Sequence, residues 1–207
     1  MSAVPAPAVP LNEQALIYQW FRQQHWTPEA YLALSANTNF LMELSEGKLH
    51  IQPMPTLSHQ RAVRRFVACV LAWAGQGDRG EVIFAPHPVR LWPGKYREPD
   101  AMVYLAAHRD RLGEQESGPP DLALEVHSPG TVRLDLVEKF EEYARAGIAE
   151  YWMLDLQARR LSVFTLSGSA YSLLGHFTAG QRVRSSILPG FEVFVDDMLR
   201  PEDQDQG

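Results

Sequence analysis

The stretch that most constrains this chain is Leu122-Ala123-Leu124-Glu125-Val126, an apolar run interrupted by one carboxylate. Pro119-Pro120 precede it and Ser128-Pro129-Gly130 close it. A short, nearly continuous apolar run of this kind reads as a strand covered on both faces. Downstream, residues 131–146 carry Leu136, Val137, Phe140, Tyr143 and Ala144 on one side of a helix, with Gly147 as its stop. Residues 150–156 form a second apolar strand. Strand, helix and strand in succession predict a βαβ unit with a right-handed crossover. A lone charge in a covered strand is expensive unless something neutralises it, so Glu125 calls for a partner.

The rest of the chain fits around this unit. Short helices are predicted over residues 12–24 and 28–35, the second opened by Thr27-Pro28. Residues 40–44 and 49–51 flank a Gly47-containing turn and predict a hairpin. A long helix runs over residues 59–74 with Ser58 as cap and Val63, Phe66, Val67, Val70, Leu71 and Ala74 as its apolar face. Residues 81–92 and 100–105 read as strands and 107–120 as a polar loop. Residues 159–166 and 170–177 read as a hairpin pair, and 191–195 as a last short strand. The architecture expected is a mixed α/β domain over residues 12–199, with a central mixed sheet flanked by helices and extra antiparallel hairpins. Residues 1–11 and 200–207 read as loose tails.

Composition excludes several classes. No unbroken apolar run approaches the roughly 18 residues a membrane helix needs. The single cysteine, Cys69, allows no intramolecular disulfide and favours a reducing cytoplasm; in an apolar helical stretch it reads as an inert thiol. One cysteine and seven scattered histidines show no zinc-ligand spacing. No glycine-rich phosphate loop is present. The net charge of -6 argues against a broad grip on duplex phosphates. Arg61, Arg64 and Arg65 on one helix, and Arg90, Lys95 and Arg97 around a turn, form local basic patches, with solvated surface charge as the plainer reading.

Three charged residues resist a packing explanation. Asp100 follows Pro99 at the head of a strand, Glu125 lies within one, and Lys139 is on the following helix. Two carboxylates brought together on adjacent strands repel, and a divalent cation relieves that repulsion while supplying catalysis. All-oxygen ligands suit Mg²⁺ or Mn²⁺. Each has a structural rival: a strand-edge acid for Asp100, a buried ion pair for Glu125, and a helical pair with Asp135 for Lys139.

Pro99-Asp100 and Glu125-Val126-His127 resemble the PD-(D/E)xK nuclease pattern. The wider text resembles the Uma2 family, also called DUF820, of restriction-endonuclease-like proteins. It comprises Glu43 through Gly47, Pro53 to His59, Pro120-Asp121, Glu125 to Pro129, Asp135, Lys139, Tyr143, Gly147, Glu150-Tyr151-Trp152 and Leu188 to Phe191. The likeness spans residues 28–199. It implies a restriction-endonuclease-like core in which Asp100, Glu125 and the Val126 carbonyl hold Mg²⁺ or Mn²⁺. Lys139 would orient the nucleophile or stabilise transition-state charge. Glu43 and His59 match supporting positions. His127 stands where the general pattern has lysine, and Lys139 takes that role from the helix. The implied activity is endonucleolytic hydrolysis of nucleic acid, with DNA the first expectation, and the implied assembly is a homodimer. The alternatives are a catalytically silent binding or scaffold module on the same fold, and an acid–base hydrolase without metal. Tyr143, Tyr151 and Trp152 read as core before base-stacking residues.

Overall fold

The computed structural model describes residues 24–38, 40–127 and 133–199, without the side chains of residues 133–136. The tails, almost all of the helix predicted over 12–24, the Ser128-Pro129-Gly130 stop and the helix start at Thr131 lie outside the described residues.

Helix α1 (Pro28–Ala36) begins as Thr27-Pro28 predicts, with the Thr27 hydroxyl accepting from the Ala30 N–H at 3.2 Å. Strands β1 (Met42–Ser45) and β2 (Lys48–Ile51) pair around Glu46 and Gly47, whose φ angles are 51° and 77°. Two positive φ values make the type I′ turn whose twist suits a hairpin. A Cβ on Gly47 would meet the His25 ring at 2.1 Å, so this site needs glycine for space as well.

Helix α2 (Leu57–Ala74) starts earlier than predicted. Thr56, not Ser58, is its cap, and the Thr56 hydroxyl accepts from the His59 N–H at 3.3 Å. Its buried face is Ala62, Phe66, Val67, Val70 and Trp73, whereas Leu71, expected inside, is 57% exposed. The face is rotated by part of a turn because Trp73 is drawn inward: its indole N–H bonds the Pro189 carbonyl at 2.9 Å.

The strand expected over 81–92 is two. Strand β3 (Gly80–Phe84) is an edge of the central sheet, and β4 (Val89–Trp92) belongs with β5 (Lys95–Arg97) in a second sheet. Pro86 and Pro88 lie between them; each lacks an N–H and has a fixed φ, so the ladder cannot run through. Strand β6 (Ala101–Leu105) leads into a 3₁₀ turn over Ala106–Arg111, where the sequence reading had a loop.

Strand β7 (Leu122–His127), helix α3 (Arg133–Arg145) and strand β8 (Glu150–Asp155) form the βαβ unit, with β7 and β8 parallel. Gly147 ends α3 at a φ of 80°. Strands β9 (Arg160–Ser167), β10 (Ala170–Phe177), β11 (Arg182–Arg184) and β12 (Glu192–Phe194) follow, then the short helix α4 (Val195–Leu199). β11 and α4 were not foreseen. The result is a six-stranded mixed sheet, β10-β9-β8-β7-β6-β3, a four-stranded antiparallel sheet, β2-β1-β5-β4, and a β11-β12 hairpin.

The two faces of β7 explain its apolar run. Leu122, Leu124 and Val126 pack with Phe66 and Val70 of α2, while Ala123 packs with Tyr143 and Tyr151 on the α3 side. Alternation along the strand therefore assigns Glu125 to the α3 face. On α3, Tyr143 and Ala144 are buried as expected, Val137 is 57% exposed, and Leu136 lies outside the described side chains.

Candidate functional site

Asp100 and Glu125 come from neighbouring antiparallel strands. Ala101 stands opposite Leu124, so one further step of the same register sets Asp100 opposite Glu125. The Asp100 carboxylate turns to the strand end, where its Oδ2 accepts from the Val126 N–H at 2.7 Å and lies 3.1 Å from His59 Nε2. The Glu125 carboxylate is buried; its Oε1 accepts from Lys139 Nζ at 3.1 Å and from the Tyr143 hydroxyl at 2.6 Å.

Lys139 is the pin between the two sheets. Its ammonium lies 3.0 Å from Glu43 on β1 and 3.1 Å from Glu125 on β7. Glu43, fully buried, also meets Arg97 at 2.6 Å and the Gln52 amide at 3.0 Å. Arg97 makes a fork to Glu142 of α3, with Nε to Oε2 at 2.7 Å and the terminal nitrogen to Oε1 at 3.1 Å. Lys95 pairs with the same Glu142 and donates to Ser45 Oγ at 2.7 Å. Lys95 and Arg97 are therefore buried, Arg97 to 1% exposure, and are not the surface patch the sequence suggested. The Pro93-Gly94 turn and the β1–β5 pairing fold them inward against acids, the arrangement in which buried cations are tolerated. Arg90 does remain at the surface, 3.4 Å from Glu116.

The electrostatics are lopsided. Glu43, Glu98, Asp100, Glu125 and Glu142 gather around Lys95, Arg97 and Lys139. Burial would raise the Glu43 carboxyl, but Lys139 and Arg97 outweigh it and hold it at about 2. Glu125 goes the other way. Burial raises it, Lys139 opposes, and the charges of Asp100 and Glu43 leave it well above the ordinary carboxylate range. Glu98, whose Oε2 accepts from the Met42 N–H at 3.2 Å, is pushed up to about 8 by burial and by Glu43. Five carboxyl groups thus crowd around three cations, and the two that are pushed up, Glu98 and Glu125, are those in which the charged form is disfavoured.

His59 lies among the groups expected to bind metal. Burial would lower its imidazole, but the bond to Asp100, the charges of Asp100 and Glu125 and the Val126 carbonyl raise it. Its Nδ1 is buried without a hydrogen bond, as are both ring nitrogens of His127. Burial and the Lys139 charge push His127 down to about 4, so it is neutral at physiological pH.

The structure brings Asp100, His59 and the Val126 main chain together on one side, and Glu125, Lys139 and Glu43 together on the other. The Asp135 side chain, the sequence-level rival partner of Lys139, lies outside the described residues. Sequence reasoning missed Glu98 and Glu142, and read Tyr143 as core before base-stacking. Tyr143 is core, with a hydroxyl that holds Glu125. Their signal was present: Glu142 and Tyr143 fall three and four residues after Lys139, on the same helical face.

The donor chemistry fits a hard divalent cation. Two carboxylates and a main-chain carbonyl are oxygen ligands, and a divalent ion would offset the mutual repulsion of the Asp100 and Glu125 carboxylates. Among the described residues, no cluster of three or more His, Cys, Asp or Glu is placed to form a closed metal cage. An ion held by so few side chains would keep several waters, as Mg²⁺ ordinarily does.

Two other buried acids are structural. Glu150 is fully buried without a cation, accepting from Trp152 Nε1 at 2.9 Å, Ser185 Oγ at 2.8 Å and the Ser186 N–H at 2.6 Å. It ties β8 to the loop before β12. Asp121 accepts from the Leu105 N–H at 2.7 Å and lies 2.6 Å from His108 Nδ1. No described helix is long and apolar enough to cross a membrane.

Comparison with known proteins shows the family and the fold. The model of the Uma2 family, described as "Putative restriction endonuclease", matches residues 28–198. The fold is similar to the crystal structure of a "putative nuclease belonging to DUF820" from Anabaena variabilis ATCC 29413, with a TM-score of 0.64 at 16% identity. That likeness covers 76% of this chain and 89% of the other, and concerns the fold. No curated protein matches the chain. With a family match running through both central strands and the helix that pins them, the chain is a member of the Uma2 family.

Proposed function

We propose that this chain is a Mg²⁺- or Mn²⁺-dependent endonuclease acting on nucleic-acid phosphodiesters, DNA first. The observation that supports the reading is the placement of two carboxylates on adjacent strands, Asp100 in register with Glu125 beside the Val126 main chain, with Lys139 Nζ 3.1 Å from Glu125. Asp100, Glu125 and the Val126 carbonyl would hold the ion. When bound there, it would supply Lewis acidity at the phosphoryl group and lower the pKa of water.

The chain's own residues do the rest. Tyr143 and Lys139 fix the Glu125 carboxylate by two hydrogen bonds, so its geometry is set before substrate arrives. Lys139 is itself held by Glu43, and so presents one fixed positive charge beside the reacting phosphate. His59, hydrogen-bonded to Asp100, is placed to hold or release a proton at the phosphate side of the site. Neutral His127, with both ring nitrogens open, can accept or donate a hydrogen bond there.

The test is cleavage of single- and double-stranded DNA and RNA with Mg²⁺, Mn²⁺ or EDTA, for the parent and Asp100→Ala. The proposal expects turnover only with metal and only in the parent. Cleavage in EDTA, or undiminished cleavage by Asp100→Ala, overturns it. A second reading has its own support in the network from Arg97 through Glu43 to Lys139 and Glu125, which is a structural pin whatever the chemistry. On that reading the fold serves as a binding module, and calorimetry finds no Mg²⁺ or Mn²⁺ site that depends on Glu125.

A further inference from the structure

A groove of about 600 Å³ opens beside Asp100 and His59. Its walls come from α2, the end of β3 and the segment just before α2. Val63, Arg64 and Val67 of α2 form one side, and Phe84 and Pro86 at the end of edge strand β3 form the other. Met54 and Pro55 lie at the rim. Phe84 is 55% exposed and Met54 74% exposed, large values for such side chains beside a candidate reaction centre. The mechanism above uses only its Asp100 and His59 end and gives the apolar walls no role.

Resting on the nuclease reading, we infer that the groove takes an unpaired nucleobase of a single-stranded or locally opened nucleic acid, stacked on Phe84, with its phosphate directed toward Asp100 and His59. Three observations support this occupant. The volume lies in the range of pockets that enclose small ligands, roughly 300–1,000 Å³, the scale of a single base. The walls are apolar where a base would lie and carry Arg64 and His59 where a phosphate would approach, which is the layout of a stacking platform beside an electrostatic guide. The net charge of -6 leaves little affinity to be had from a long phosphate footprint, so stacking has to contribute it. Phe84 ends β3, an edge of the central sheet among the described residues, and its exposure lets a base approach the ring.

The experiment uses the full chain and single strands, DNA and RNA, carrying one 2-aminopurine, in EDTA so that no cleavage occurs. Stacking on an aromatic ring quenches this base. The parent should quench it on binding. Phe84→Ala should bind about ten-fold more weakly without quenching, as expected for loss of one base–aromatic stack. Phe84→Trp should restore binding, which separates loss of the platform from misfolding. Replacing the 2-aminopurine by an abasic position should weaken the parent and leave Phe84→Ala unchanged. Equal affinity of the parent for duplex and single strand, or binding indifferent to Phe84→Ala, would overturn the groove assignment even if metal-dependent cleavage is found. Quenching that needs Phe84 in a protein that never cleaves would keep the groove and remove the nuclease reading.

Discussion

Replacing Lys139 by methionine tests the central pin directly. The ammonium is 3.0 Å from Glu43 Oε1 and 3.1 Å from Glu125 Oε1, and all three side chains are buried. At an effective dielectric of about 20, each contact is worth roughly 5 kcal/mol before desolvation is counted. Desolvation of the lysine offsets much of that, and breaking one partner out of a buried pair costs about 3–5 kcal/mol. The two acids differ in what they keep. Glu43 retains Arg97 at 2.6 Å, whereas Glu125 is left with the Tyr143 hydroxyl at 2.6 Å as its hydrogen bond. The loss should therefore fall mainly on Glu125. Lys139→Met is expected to lose about 3 kcal/mol in urea unfolding followed by tryptophan fluorescence in EDTA, with an unchanged m-value. Adding Glu125→Gln to Lys139→Met should recover about 1–2 kcal/mol, since the buried carboxyl then no longer has to keep a charge or take up a proton to lose it. Adding Glu43→Gln should recover less. A loss below about 1 kcal/mol, or equal recovery by the two glutamines, would refute the claim that Lys139 chiefly compensates Glu125.

Further outcomes follow from other parts of the structure. Isothermal titration with Mn²⁺ should show one site that is lost in Asp100→Asn while the far-UV circular dichroism stays unchanged; retention of the site refutes its ligand role. Glu43 is held at about 2 against an ordinary 4.5, so it contributes on the order of 3 kcal/mol that is present above pH 4.5 and is lost as pH falls through about 2. Glu43→Gln should accordingly flatten the stability profile across that acid window, read from urea midpoints. Phe66→Ala should cost about 3–5 kcal/mol, because the ring is fully buried between Trp152 at 5.7 Å and Phe191 at 6.2 Å; a thermal scan that barely moves would contradict the packing.

Much of the scaffold was legible locally. The βαβ unit, the β1–β2 hairpin, α1 and the β9–β10 pair all announce themselves through period, cap and turn residues that act within a few positions. So did Asp100 and Glu125, since a proline-led acid and a charge inside an apolar strand conflict with simple packing. The misses share a cause. Ser58 and Thr56 are equally good caps by composition, and only the helix's docking selects one. Leu71 and Trp73 compete for the same face, and the bond from Trp73 to Pro189 settles it across 116 residues.

The charged centre shows the same division more sharply. By itself the sequence determined that a helix carrying Lys139 follows a covered strand carrying Glu125, because those patterns depend on neighbours along the chain. It did not determine that Lys139 would meet Glu43, or that Arg97 would leave the surface for the interior. Those meetings join segments 54 residues apart for Arg97 and Glu43, and they exist only once β1 pairs with β5 in one register and α3 lies across both sheets. Local periodicity sets which side chains share a face; the energy of a buried charge depends on which distant partner the packing delivers to it.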